Sequence, residues 1–140
     1  MSGQPNNSDS HSRNKLPKNR ILRGRGTFDR VFRNGTRLSG AVVDARFVVT
    51  EVPGGLVKTG FAAGRKSGKA WQRNYLKRLM REAWRQSQQP LNQANALRQP
   101  ATELHIVLSV KNRNPAFEQV LKDVRAHVKA ICLKTGSPMQ

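Results

Sequence analysis

A single cysteine, eight acidic residues and the absence of any long apolar run exclude several classes of protein at once. Cys132 alone cannot form an internal disulfide or a multi-cysteine zinc site. Its neighbours Ile131 and Leu133 predict a buried thiol, the common fate of a lone cysteine. No apolar stretch approaches the roughly 20 residues a membrane-spanning helix needs. The leading segment MSGQPNNSDSHSRNK is polar and has no apolar stretch of the secretory kind, so a cytoplasmic protein without membrane attachment is expected. His11, His105 and His127 are scattered, and the few carboxylates do not cluster. With no metal-ligand spacing and no nucleophile motif, neither a catalytic residue nor a metal site of the protein's own is predicted. No internal repeat is apparent.

What is abundant is positive charge. The 140 residues carry 26 Lys and Arg, a net charge of +18. The length suits one domain with a modest core. A compact domain this basic repels itself, so the charge calls for a polyanionic partner. Nucleic acid is the leading reading, and an anionic membrane surface is the plainer rival.

Along the chain, residues 1–15 are rich in Ser and Asn and read as a disordered tail, residues 16–133 as one domain, and residues 134–140 as a second tail. LPKNRILRGRG, residues 16–26, reads as an extended basic arm. Thr27 is placed to cap a short helix, FDRVFRN, which Gly35 ends. Phe28, Val31 and Phe32 share one face of it. VVDARFVVTEV, residues 42–52, alternates as a strand, with Ala45, Phe47 and Val49 on one face and Arg46, Val48 and Thr50 on the other. The turn signal PGG predicts a hairpin with a second strand over 56–63. A long helix is predicted from Lys69 to about Gln88. QQPLNQANALRQPAT, bounded by Pro90 and Pro100, reads as a loop with at most a frayed turn over Leu91–Leu97. ELHIVLSV, residues 103–110, is apolar enough for a buried strand. Beyond Pro115, residues Phe117, Val120, Leu121, Val124, Val128 and Ile131 keep helical spacing. The order helix, strand, strand, helix, strand, helix defines an α+β fold, with helices packed on a small sheet.

The segment QRNYLKRLMREAWR, residues 72–85, holds five cations and one acid. On a helix turning about 100° per residue, Lys69, Arg73, Lys77 and Arg81 descend one side in steps of four. Asn74, Arg78 and Arg85 lie beside them, and Leu76, Leu79, Met80 and Ala83 fill the opposite arc. Like charges at that spacing destabilise a helix by a few tenths of a kcal/mol per pair. A helix selected for solubility alone mixes its signs. A phosphate backbone reverses the sign of the cost through counterion release. Asn74 adds directed hydrogen bonding, suited to a base edge or a 2′-hydroxyl. Trp71, Tyr75 and Trp84 flank the basic arc and are expected to seal the core edge.

These residues carry a family resemblance. RKSGKAWQRNYLKRLMRE, residues 65–82, resembles the signature of the bacterial ribonuclease P protein component: a basic pair (Arg65, Lys66), small residues (Gly68, Ala70), Arg-Asn (Arg73, Asn74), Lys-Arg (Lys77, Arg78) and Arg-Glu (Arg81, Glu82). Phe28, Val31, Phe32 and Gly35 fit the family's F-x-x-V-F-x-x-G, and the resemblance spans about residues 16–133. Tyr75 departs from the pattern where the family has a second Arg, and Trp71 where it has Val. The resemblance implies a small mixed sheet in a ribosomal-protein-like domain, with parallel strands joined by a left-handed crossover through the basic helix. It implies a non-catalytic subunit that supports tRNA 5′ maturation by an RNA using Mg²⁺, with ribonuclease P RNA and precursor tRNA as partners and no obligatory protein partner. Arg65, Lys66, Lys69, Arg73, Asn74, Lys77, Arg78 and Arg81 would contact the catalytic RNA. Phe28, Phe32, Arg46, Val48 and Thr50 would line a cleft for the 5′ leader, although both phenylalanines also read as ordinary core. Lys18, Arg20, Arg23 and Arg25 on the arm would add phosphate contacts. The runner-up is a ribosomal or other structural RNA-binding protein with no part in cleavage.

Overall fold

Strand β4, Thr102–Val110, organises the molecule, because Leu104 through Leu108 are buried without a break. A segment apolar on both faces belongs at the centre of a sheet covered on both sides. The computed structural model describes residues 16–135, so the tail expected over 1–15 and all but Lys134 and Thr135 of the tail expected over 134–140 lie outside the described residues; Lys134 is the last residue of a helix, not part of a tail. Its other elements are α1 (Arg25–Asn34), β1 (Thr36–Leu38), β2 (Val43–Pro53), β3 (Val57–Ala62), α2 (Ala70–Ser87), α3 (Gln89–Leu97) and α4 (Phe117–Lys134), with short 3-10 turns at Lys18–Arg20 and Arg65–Ser67.

The sheet order is β1-β2-β4-β3. The expected hairpin between residues 42–52 and 56–63 does not form. β4 inserts between those strands, pairing antiparallel with β2 (Phe47 opposite Ile106) and parallel with β3 (Gly60 opposite Val107). The PGG turn still reverses the chain, with Gly54 at φ +127°, but it splays the strands instead of joining them. β2 pairs locally with the short β1, which the sequence reading did not separate from the loop. The parallel β3–β4 pair is connected through α2 and α3, as the resemblance implies for the basic helix.

The stretch expected to be a loop is helix α3. Pro90 sits in its first turn, where a missing amide costs little. Its only buried side chains are Leu91, Ala94 and Asn95, so the apolar periodicity is too sparse to announce a helix. Asn95 holds it in place: its amide donates to the carbonyls of Gly55 (2.8 Å) and Thr102 (3.0 Å), and its oxygen accepts from Arg98. The polar insertion thus clamps the turn that β2 and β3 leave open. Helix α1 begins at Arg25 behind Gly24, at φ +93°, and Thr27 lies within the first turn instead of capping it. Gly35 ends α1 as expected, and its amide donates to Val31 O at 2.8 Å.

The sheet has two covered faces. The larger core joins Ala45, Phe47, Phe61, Ile106 and Leu108 to Met80 and Trp84 of α2, Leu91 of α3 and Val124 and Ile131 of α4. Two polar anchors register α4 on β2: the Asp123 carboxylate accepts from the amides of Val42 (2.7 Å) and Val43 (2.9 Å), and His127 Nε2 meets Val43 O at 2.6 Å. The smaller core lies on the opposite face, where Leu22, Val31 and Val107 gather Phe28, Phe32, Val48 and Ala62 around them. The arm is not free: Ile21 bridges to Thr59, and the Leu22 amide donates to Thr59 O at 3.0 Å, covering the outer edge of β3. Cys132 is half-buried, and burial pushes its thiol pKa up.

Candidate RNA interface

Helix α2 owes its orientation to one side of its sequence. Leu76, Met80, Ala83, Trp84 and Ser87 are buried against the sheet and α4. The cations therefore face outward or lie along the flanks. Lys69, Arg78 and Arg81 are exposed, while Arg73 and Lys77 are half-buried where the helix meets its neighbours. Arg73 donates from Nη1 to Gly68 O at 3.0 Å, tying the helix to the loop before it. Arg81 lies over the Phe61 ring on β3, 5.6 Å from its centroid. Gly68 holds φ +118°, and a Cβ there would fall 2.3 Å from the Gln72 side-chain oxygen, which accepts from the Lys69 amide. That glycine lets the basic turn Arg65–Ser67 feed directly into α2.

Charge pairing on this surface is one-sided. Glu82 is the only acid of α2, and it accepts from Arg85 and from Gln86 (2.9 Å). The Arg85 hydrogen bonds hold the Glu82 carboxyl below its ordinary pKa, with Gln86 assisting. Among the described residues, none of Arg65, Lys66, Lys69, Arg73, Lys77, Arg78 and Arg81 makes a salt bridge. The structure brings all eight predicted contact residues, Asn74 included, onto one helix and the turn preceding it.

It also adds a residue that sequence reasoning missed. Arg113, in the loop after β4, donates from Nε to Lys66 O at 3.1 Å. Parallel neighbours end at the same side of a sheet, so the loops leaving β3 and β4 lie together. Only the strand order could have revealed this. Lys111 in the same loop pairs with Asp44. Burial by itself would raise the Asp44 pKa, but Arg37, the Gly40 amide and Lys111 outweigh it and hold the carboxyl below its usual range.

The second predicted surface lies on the opposite sheet face, beneath α1. The Phe28 ring rests on Gly60, where a Cβ would fall 2.3 Å from Phe28 Cζ. Phe32 is half-buried, with the Arg46 guanidinium 5.2 Å from its ring centroid. Arg46 also donates from Nη1 to Phe32 O at 2.8 Å. Phe28, Phe32, Arg46 and Val48 thus converge. Thr50 lies further along β2, with its hydroxyl donated to Glu103 O at 2.9 Å. A groove of about 470 Å³ continues the cleft between α1 and the end of β2, and Arg30 and Asn34 join Val48 and Thr50 in lining it. Val48, His105 and Lys58 run in register across the floor. His105 Nε2 lies 3.0 Å from Glu103 Oε1, and Lys58 Nζ lies 3.5 Å from the same oxygen. Of the arm cations, Lys18, Arg23 and Arg25 are exposed and Arg20 is half-buried.

Of the three aromatics expected in the core, only Trp84 is there, at 1% exposure. Trp71 is 67% and Tyr75 49% exposed, because the buried arc of α2 is narrow and they fall beyond it. Among the described residues no three His, Cys, Asp or Glu side chains gather as metal ligands, and no helix is long and apolar enough to cross a membrane.

A single-signed ridge of unpaired cations on a small α+β domain, with a cleft beside Phe28 and Phe32 on the reverse face, is the surface of an RNA-binding protein. The family model for Ribonuclease P matches residues 16–132, and the chain belongs to that family. It is 33% identical over 111 residues to the ribonuclease P protein component of Chlamydia felis (strain Fe/C-56), covering 79% of this chain and 73% of the relative. It is 31% identical over 126 residues to that of Chlorobaculum tepidum, covering 83% and 82%. The fold is shared with the RNase P protein from Thermotoga maritima, at TM-score 0.61 and 24% identity over 79% of this chain and 96% of that one. The RNase P protein of Staphylococcus aureus also reaches 0.61, at 16% identity over 81% and 94%. The function that follows is that of a protein subunit of ribonuclease P, a tRNA-processing enzyme, and the ribosomal-protein alternative is not favoured.

Proposed function

We propose that the ridge formed by Arg65, Lys66, Lys69, Arg73, Asn74, Lys77, Arg78 and Arg81 holds the ribonuclease P RNA, and that the cleft of Phe28, Phe32, Arg46, Val48 and Thr50 takes the 5′ leader of precursor tRNA. The observation that carries this reading is the absence of any salt bridge from the seven ridge cations among the described residues. Unpaired charge of one sign is costly to the free protein and favourable against phosphate. The chain contributes no chemistry of its own. Mg²⁺ would be held by the RNA and would supply the activation of water there. The exposed arm cations add phosphate contacts beside the cleft.

Two effects follow from this division. Positive charge lowers the repulsion between catalytic RNA and substrate, so less Mg²⁺ is needed to bring them together. Leader contacts favour precursor over mature product, which has no leader. Adding the chain to its RNA therefore raises precursor cleavage at low Mg²⁺, while the chain without RNA cleaves nothing. An unchanged rate, or cleavage by the protein free of RNA, overturns the proposal.

The cleft has its own test. Base–aromatic stacking contributes about 1–3 kcal/mol per base. Phe32→Ala is expected to weaken precursor binding by roughly 5- to 100-fold and to leave product binding nearly unchanged. Equal losses for precursor and product, with the circular dichroism of the wild type retained, remove the leader from the cleft.

A further inference from the structure

Trp71 and Tyr75 are aromatic side chains of α2 that the core does not use. Exposing a tryptophan to 67% and a tyrosine four residues on to 49% forgoes the burial that normally recruits both. Side chains three and four positions apart are neighbours on a helix. Trp71 therefore adjoins Asn74 and Tyr75, and Tyr75 and Asn74 adjoin Arg78. All four are exposed, and they form one continuous outward patch. It combines two flat apolar faces, an amide with donors and an acceptor, and an unpaired guanidinium. Those are the groups that grip an unstacked nucleotide: faces for the base, the amide for its edge and the cation for its phosphate.

The surrounding charge identifies the occupant. Arg73, Lys77 and Arg81 belong to the same helix and Lys69 precedes its first residue, and none makes a salt bridge among the described residues. The one acid, Glu82, follows Arg78 by four residues and is engaged by Arg85 and Gln86. An apolar partner surface would have to desolvate this charge, whereas an RNA strand neutralises it. The cleft for the leader lies on the opposite face of the sheet, so the catalytic RNA is the source. We propose that Trp71 and Tyr75 form a stacking platform for an unpaired base of the ribonuclease P RNA, with Asn74 on its edge and Arg78 on its phosphate. This inference rests on the RNA-binding reading of α2.

The chain has two tryptophans, and Trp84 is buried, so Trp71 can be read separately by fluorescence. Titrating the full chain with transcribed ribonuclease P RNA is expected to quench emission in the wild type and to leave Trp71→Phe unquenched. Trp71→Ala should bind that RNA about 5- to 100-fold more weakly with an unchanged salt slope, since no phosphate contact is lost. Trp71→Phe should recover most of the affinity. Three results overturn the platform. The first is wild-type affinity in Trp71→Ala while Lys77→Glu with Arg81→Glu loses binding. The second is a changed salt slope in Trp71→Ala. The third is a loss confined to precursor tRNA. Wild-type affinity in the charge-reversed chain as well overturns the RNA-binding reading of α2 together with the platform.

Discussion

A chain carrying Lys77→Glu and Arg81→Glu is expected to bind ribonuclease P RNA on the order of 100-fold more weakly, and the slope of log affinity against log salt should fall. Each cation that meets a phosphate releases counterions and contributes roughly 0.7–0.9 to that slope. Two lost contacts therefore flatten it by about 1.4–1.8. The remainder of the loss is repulsion, because each substitution places a carboxylate where a phosphate would lie. The fold should survive. Arg81 is exposed, Lys77 is only half-buried, and neither pairs with an acid among the described residues. Arg81 does lose its position over Phe61, a contribution of about 0.5–1 kcal/mol at an exposed site. That is too little to unfold a domain whose stability is typically about 5–15 kcal/mol. Filter binding at several salt concentrations is the measurement, and unchanged affinity and slope would refute the basic-face assignment.

The buried side of the same helix makes the opposite prediction. Trp84→Ala should cost about 3–5 kcal/mol of stability, the range for deleting a large buried aromatic. Trp84 is fully buried in the main core, with Leu76, Met80 and Ala83 of its own helix. The urea midpoint should fall sharply while the m-value holds, because the surface exposed on unfolding barely changes. The salt slope of RNA binding by the folded fraction should match the wild type, since every ridge cation is retained. An unmoved midpoint would mean that α2 is not anchored to the sheet as described. The two variants together separate the halves of one helix: one loses RNA with the fold intact, the other loses the fold with its charge intact.

Much of this was legible in the residues because it depends on local spacing. The steps of four from Lys69 to Arg81, the F-x-x-V-F-x-x-G of α1 and the apolar run of β4 each occupy one element, and a helix or strand period suffices to assign their faces. α3 reads from the residues as a loop with a frayed turn for a physical reason. Its helix is short, its buried face includes the polar Asn95, and it is held by hydrogen bonds from Asn95 to Thr102 and to Gly55, the latter 40 residues away. The hairpin expectation failed because PGG reports only that the chain turns, and the pairing of β2 and β3 depended on where β4 would go.

The sequence by itself determined the charge, the two-sidedness of α2, the aromatic pair on α1 and the family, since these reside in residue types at fixed separations along the chain. Only the tertiary structure decided that β4 divides β2 from β3, that Arg113 meets the basic turn at Lys66, that Phe28 lies on Gly60, and that Trp71 and Tyr75 remain in solvent. Each of those outcomes depends on which non-local surfaces cover one another, and that is a competition among whole elements for a buried position that no short window of residues records.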